Sequence, residues 1–199
     1  MTSNKNFVHL LPRLHEEVTF NSPSKQLNSG IFIRCQSIEN DERQHAQTLL
    51  EKMLIEQGLP PKELEVENYG RLKHHPQFIC SKTHTKSAVG VICGRNESIY
   101  GVGIDLEKKD RSFNPKIEKF FKNEEDEHLP LLDLWCAKEA CFKSLANDPA
   151  PPQTLKQIWV RSNQFGINNS PKILGEWINL NVDDYILSIA YLRNLSTSA

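Results

Sequence analysis

The sequence predicts a mixed α+β protein of two similar subdomains, because each half of the chain pairs an amphipathic helix with β-branched strand segments. The helices are predicted at residues 41–57 and 130–146. A chain of 199 residues suits one large domain or two small ones. We place an N-terminal α+β subdomain at residues 1–104 and a C-terminal one at residues 105–199.

In the first half, residues 31–35 are typical of a strand, and the helix at 41–57 follows. Its apolar residues recur at helical spacing and are expected in the core: Ala46, Leu49, Leu50, Met53 and Leu54. Residues 77–93 predict an extended segment and a strand, and residues 99–107 predict another strand. Because only the turn-like segment 94–98 separates the last two strands, we expect them to form a hairpin.

In the second half, Asn114 and Pro115 predict a helix start, with the asparagine as cap and the proline in the first helical position. The acidic run 124–127 favours another short helix, because acids stabilise the positive N-terminal end. After the helix at 130–146, three segments are typical of strands: IWVRS, ILGEWINLN and DYILSIAYL.

The overall composition argues against several classes of protein. Lys and Arg total 24 and Asp and Glu total 25, so the chain lacks the basic excess of a nucleic-acid binder. No apolar run reaches the length that a membrane span needs. The 5 cysteines contain no Cys-x-x-Cys motif, so neither a disulfide framework nor a zinc site is expected. These observations predict a cytoplasmic protein.

The charges are unevenly distributed along the chain. Residues 68–96 contain no acid and 5 Lys or Arg residues. Residues 97–139 contain 11 acids and 7 Lys or Arg residues. This split indicates either an ordinary solvated surface or an anion site beside a cation site.

Asp105 and Glu107 lie two positions apart in the predicted strand 99–107. Side chains alternate along a strand, so both carboxylates leave one face and Leu106 leaves the other. Such a pair suits Mg²⁺, which binds through carboxylates, water and phosphate. The alternative is a strand end with two solvated acids.

Glu139 and Lys143 are four positions apart in the second helix and share one face, with Lys138 beside them. They form either an ordinary surface ion pair or the edge of a cleft. His84 lies among hydroxyls and lysines in the segment 81–85, which suits an anion-binding loop as well as a structural histidine.

In this order, the motifs resemble those of the 4′-phosphopantetheinyl transferases. GVGIDLE (101–107) and WCAKEACFK (135–143) resemble the family's acidic strand and its Lys-Glu helix. SKTHT (81–85) and YGR (69–71) resemble the Ser-His loop and the Gly-Lys-Pro segment of the larger, surfactin-synthetase-activating branch. The resemblance covers residues 69–146.

The resemblance implies two α+β subdomains related by a pseudo-twofold axis, with the active site between them. It implies an enzyme that transfers the 4′-phosphopantetheine arm of coenzyme A to a serine of an apo acyl, peptidyl or polyketide carrier protein. The reaction is Mg²⁺-dependent and releases adenosine 3′,5′-bisphosphate. It further implies a cytoplasmic monomer that binds neither nucleic acid nor membrane.

Site residues follow from the same resemblance. Asp105, Glu107 and Glu139 match the metal ligands, and Glu139 also matches the general base. Lys143 matches the lysine on the coenzyme A phosphate, and Lys138 matches a lysine that orients the acids.

Coenzyme A contacts are expected from His84, Thr83 and Arg71 as well as Lys143. Arg71 and Leu72 stand where the family has lysine and proline, a departure that affects the shape of that loop. A basic and aromatic segment either docks the acidic carrier protein or holds two core phenylalanines among solvated lysines: Lys116, Lys119, Phe120, Phe121 and Lys122.

Two other functions agree with the same residues. One is a different Mg²⁺-dependent phosphoryl-transfer enzyme, such as a phosphodiesterase, although such sites usually hold two metals and add histidine ligands. The other is a non-catalytic homologue that binds carrier proteins.

Overall fold

A computed structural model of the chain describes residues 25–27, 30–39, 41–66, 70–95, 99–170 and 172–193. The elements, in chain order, are β1 (Lys25–Leu27), β2 (Ile31–Ser37), α1 (Glu42–Glu56), β3 (Phe78–His84), β4 (Ala88–Arg95), β5 (Ile99–Lys108), α2 (Leu131–Ser144), β6 (Ile158–Arg161), β7 (Gln164–Ile167), β8 (Gly175–Val182) and β9 (Tyr185–Arg193).

The first sheet is antiparallel, with the strand order β1-β2-β4-β3. Helix α1 covers one of its faces. The five apolar helix residues expected in the core are all buried there, and they pack with Val89 and Val91 of β4. Helical periodicity therefore predicted both α1 and its buried face correctly.

The second sheet is also antiparallel, with the order β5-β9-β8-β7-β6. Helix α2 lies on one face of it, where Leu134 and Ala137 pack with Val160 and Phe165. The opposite face packs against the first sheet through a shared apolar core that includes Ile33, Ile92, Ile104 and Leu187.

The described residues thus form four layers in the order α1, first sheet, second sheet, α2. The predicted α+β class is confirmed. The predicted division at residues 104 and 105 falls inside β5, whereas the chain passes from the first sheet to the second between Arg95 and Ile99.

The predicted hairpin between β4 and β5 is wrong. Strand β4 pairs with β2 and β3, whereas β5 pairs with β9. Alternate residues of β5, including Ile104 and Leu106, are buried in the core between the sheets. Burying that apolar face requires β5 to pack against the first sheet instead of extending it. The predicted turn residues 96–98 lie outside the described residues.

The second half contains two further differences from the expected elements. Residues 124–127 form a turn instead of a short helix. The four-residue strand β7 was not expected, and it completes the path from β6 to β8. Among the described helices, none is long and apolar enough to cross a membrane.

Candidate active site

The candidate site forms where α2 lies directly on β5. Gly101 and Gly103 of β5 face the helix, and a Cβ atom at either position would overlap the backbone carbonyl of Ser144 or Ala140. Glycine therefore allows the strand and helix backbones to approach closely. This contact brings the acidic motif on β5 next to the Lys-Glu motif on α2.

Asp105 is buried at the centre of this contact, with 6% of its surface exposed. Its Oδ1 accepts hydrogen bonds from Lys143 Nζ at 2.7 Å and from Thr83 Oγ1 at 3.2 Å. Lys143 Nζ also donates to the backbone oxygen of Ile104 at 3.1 Å. Because Thr83 belongs to β3, the site joins the edge strands of the two sheets.

The second oxygen of Asp105, Oδ2, is buried and has no hydrogen-bond partner among the described residues. A buried carboxylate oxygen without a partner is unfavourable, because it has lost its water and gained nothing in exchange. This oxygen therefore keeps an unused capacity to accept a hydrogen bond or a cation.

Glu107 lies on the same side of β5 as Asp105, as the strand periodicity predicted, whereas Leu106 is buried between the sheets. Its Oε1 forms an ion pair with Nη1 of Arg111, a residue that the sequence reasoning missed. Burial raises the pKa of Glu107, and the charge of Asp105 adds to this effect. Arg111 and the Trp135 indole oppose the rise in pKa.

Glu139, on α2, is the third of the predicted metal ligands. Burial raises its pKa above the ordinary glutamate range, and the charges of Asp105 and Glu107 raise it further. Lys143 and Arg111 lower it. The three acids thus interact electrostatically across the contact between β5 and α2.

The described residues contain no preassembled cluster of three or more His, Cys, Asp or Glu side chains placed to hold a metal ion. The chemistry of the donors nevertheless suits Mg²⁺, since all three are carboxylates and Asp105 Oδ2 is without a partner. A cation would also relieve the repulsion that raises the pKa values of Glu107 and Glu139. The donor chemistry therefore fits Mg²⁺, and two of the donors hold other cations, since Glu107 is paired with Arg111 and Asp105 with Lys143.

Lys138 is not brought to these acids. Its Nζ lies 2.7 Å from Asp126 Oδ2 and donates to the backbone oxygens of Phe121 and Ile158, at 2.6 and 2.7 Å. The side chains of Lys138 and Asp126 are both fully buried. The expected catalytic role of Lys138 is therefore corrected to a structural one. Its position four residues after the buried Leu134 was a signal for this orientation.

A cavity of about 450 Å³ adjoins Glu107. Four of its lining residues are basic: His84, Lys86, Lys108 and Arg111. His84 and Lys86 come from the acid-free part of the sequence, and Lys108 and Arg111 follow the acidic strand. The structure therefore places this basic cavity, which Glu42 also lines, beside Glu107, with residues from both parts of the chain.

A larger cavity of about 760 Å³ lies between α1, β3 and the end of α2. Lys143 and Lys82 line it together with apolar residues such as Leu50 and Leu64. Lys143 thus borders both the acids and this cavity.

Arg71 lies apart from the basic cavity. Its Nε donates to Asn147 Oδ1 at 3.3 Å, and its guanidinium lies 5.8 Å from the centre of the Tyr100 ring. Arg71 therefore links the segment before β3 to the segment after α2. The neighbouring Tyr69 lies outside the described residues.

Comparison with known proteins yields no assignment: no protein-family model matches this chain, and no curated protein matches it significantly.

Proposed function

We propose that this protein is a 4′-phosphopantetheinyl transferase, which moves the phosphopantetheine arm of coenzyme A to a serine of an apo carrier protein. The observation that carries the proposal is the 2.7 Å contact between Lys143 Nζ and Asp105 Oδ1. It joins two motifs that are separated in the sequence, at a boundary between two helix-covered sheets. The four layers also agree with the arrangement that the resemblance implies, in which two α+β subdomains are related by a pseudo-twofold axis.

Asp105, Glu107 and Glu139 would hold the Mg²⁺ ion. When bound, Mg²⁺ stabilises the negative charge that develops on phosphoryl oxygens. Lys138 has no part in this proposal except to stabilise α2 from the side away from the acids.

The serine hydroxyl forms a new oxygen–phosphorus bond at the β-phosphorus of coenzyme A, and the bond to the leaving adenosine 3′,5′-bisphosphate breaks. Glu139 is the carboxylate that we propose to accept the serine proton, directly or through one water. Lys143 is partly exposed, with 29% of its side chain accessible, and its ammonium steadies the phosphate.

The two cavities suit the two parts of coenzyme A around its pyrophosphate. The basic cavity offers His84, Lys86 and Lys108 to the 3′-phosphate. Thr83 is not among the residues that line this cavity, and its hydroxyl donates to Asp105 instead. The larger cavity beside Lys143 leaves room for the remainder of the substrate.

The expected carrier-protein surface is supported for Phe120 but not for Phe121. Phe120 is 65% exposed in the 3-10 helix Pro115–Phe120, and the Lys119 ammonium lies 5.0 Å from the centre of its ring. Phe121 is 1% exposed and packs edge-on against Trp135. We propose Phe120 with its neighbouring lysines as the docking surface for an acidic carrier protein.

A monomeric, cytoplasmic enzyme that binds no nucleic acid remains part of the proposal. All cysteines are free and buried, which suits a reducing compartment.

The test is an incubation of the protein with coenzyme A, Mg²⁺ and a panel of apo carrier proteins, followed by mass spectrometry of the carriers. We expect one or more carriers to gain the mass of the phosphopantetheine arm, and a chelator to prevent it. Cleavage of coenzyme A without transfer would instead identify a phosphodiesterase. Carrier binding without any chemistry would identify a non-catalytic homologue.

A further inference from the structure

Arg111 occupies a position between the acids and the basic cavity. Its guanidinium lies 5.0 Å from the centre of the Phe113 ring and 5.7 Å from the centre of the Trp135 ring. Stacking on two aromatic faces holds the charged group in place without neutralising it. Its side chain remains 42% exposed, so the guanidinium is accessible from the cavity.

The present partner of Arg111 is Glu107, whose side chain is only 13% exposed. Without Arg111, Glu107 would face the charge of Asp105 from a largely buried position. Arg111 is thus the counter-cation of one of the three carboxylates. A Mg²⁺ ion that takes Glu107 as a ligand would repel this guanidinium and weaken its ion pair, because both cations would lie on one carboxylate.

The displaced guanidinium has a second site within the same cavity. Arg111 lines this cavity with His84, Lys86 and Lys108, which supply donors for a phosphate group, and with the carboxylates of Glu42 and Glu107. The planar guanidinium matches phosphate oxygens with two parallel hydrogen bonds. A phosphate in the cavity and the carboxylate of Glu107 therefore compete for Arg111.

We propose that Arg111 is a positioning residue that exchanges Glu107 for a phosphate of the substrate when Mg²⁺ binds. This inference rests on the proposed function, because it assumes that the carboxylates take up Mg²⁺. The exchange couples the two ligands: Mg²⁺ frees Arg111 for the phosphate, and the phosphate frees Glu107 for Mg²⁺. Such coupling is reciprocal by thermodynamic necessity.

The first experiment measures Mg²⁺ binding without substrate by titration calorimetry on the wild type, Arg111→Ala and Arg111→Lys. Removing the competing cation should tighten Mg²⁺ binding in Arg111→Ala by about fivefold, the low end for coupled sites, because Arg111 is exposed. Arg111→Lys keeps the charge and should stay close to the wild type. Equal or weaker binding in Arg111→Ala would overturn the proposal, as would an absence of binding in all three proteins.

The second experiment measures the dissociation constant of coenzyme A with and without Mg²⁺. In the wild type, Mg²⁺ should tighten coenzyme A binding, and this ratio should fall by about fivefold in Arg111→Ala. An unchanged ratio would overturn the exchange. Because a purely structural defect would not tighten Mg²⁺ binding, the two experiments together separate positioning from damage.

Asp105→Ala distinguishes failure of this inference from failure of the proposed function. If Asp105→Ala binds Mg²⁺ as the wild type does, the ion lies elsewhere and the proposed metal site fails. If Asp105→Ala loses Mg²⁺ while Arg111→Ala does not gain affinity, the metal site stands and only the exchange by Arg111 is overturned.

Discussion

Helix α2 carries two lysine–aspartate ion pairs that have the same length and opposite surroundings. Lys138 Nζ lies 2.7 Å from Asp126, and Lys143 Nζ lies 2.7 Å from Asp105. The first pair is completely buried, whereas 29% of the Lys143 side chain and 8% of the Asp105 side chain are exposed. Distance alone therefore does not distinguish a structural pair from a candidate active-site pair.

The difference lies in how fully each carboxylate is satisfied. Asp126 accepts backbone hydrogen bonds from Asn123 and Val160 in addition to the Lys138 ion pair. Asp105 leaves Oδ2 buried and without a partner among the described residues. A satisfied pair stabilises the folded chain, and an unsatisfied one leaves binding capacity for a ligand.

The largest expected effect follows from breaking the unsatisfied pair at Asp105. Asp105→Ala should reduce the rate of arm transfer by about a thousandfold or more, because the site loses a carboxylate that holds positive charge at the phosphate. The thermal transition should move little, since the unfavourable Oδ2 is removed as well. The rate is measured by mass spectrometry of the carrier. Wild-type transfer by this variant would contradict the assignment of Asp105.

Breaking the satisfied pair should instead reduce stability. Asp126→Ala leaves the Lys138 ammonium buried without its counterion, and we expect a loss of about 3–5 kcal/mol in the free energy of unfolding. Urea titration followed by circular dichroism measures it. The double variant Lys138→Met with Asp126→Leu is the matched control and should recover much of the loss, because it removes both buried charges. Equal destabilisation by Lys143→Met would erase the distinction between the pairs.

A smaller effect is expected at the basic cavity. His84→Ala should raise the KM for coenzyme A by about tenfold, since a hydrogen bond to a charged group contributes about 1.5–3 kcal/mol. The KM for the carrier protein should remain unchanged, because neither Phe120 nor its neighbouring lysines line the cavity that His84 borders. Steady-state kinetics with each substrate varied in turn measures both values. Equal changes in the two constants would contradict the assignment.

The smallest expected effect is on the affinity for Mg²⁺ at acid pH. The pKa values of Glu107 and Glu139 are raised in the folded protein, so both acids take up protons above their ordinary range as the pH falls. A protonated carboxyl does not bind Mg²⁺. As the pH falls, the affinity for Mg²⁺ should therefore begin to decline while the pH is still above the ordinary pKa range of glutamate.

The same raised pKa values affect the stability of the metal-free protein in the opposite direction: stability decreases as the pH rises, whereas Mg²⁺ affinity decreases as the pH falls. A folded-state pKa above the unfolded value means that the folded protein binds more protons in that window, so stability decreases as the pH rises through it. Glu139→Gln should therefore increase the stability of the metal-free protein at neutral pH, measured by thermal unfolding. A decrease would show that the charge of Glu139 is favourably compensated.

Much of the local structure could be predicted because it depends on periodicity. The 3.6-residue repeat identified both helices and the buried face of α1, and the two-residue repeat placed Asp105 and Glu107 on one face of β5. The spacing of Glu139 and Lys143 likewise predicted that they share a helix face. These relations hold within a single element.

Relations between elements could not be predicted in this way. The short link between β4 and β5 is compatible with a hairpin, but the burial of Ile104 and Leu106 between the sheets excludes it. The contact of Arg111 with Glu107 depends on how the chain turns after β5, which neither period describes.

The sequence by itself determined the helices, most of the strands and the residue types of the candidate site, because local periodicity and side-chain chemistry are properties of short segments. Only the tertiary structure decided that Lys143 points to Asp105 whereas Lys138 points to Asp126. That outcome depends on which face of α2 lies on β5. Here the apolar cores and the space left by Gly101 and Gly103 set the orientation of the helix.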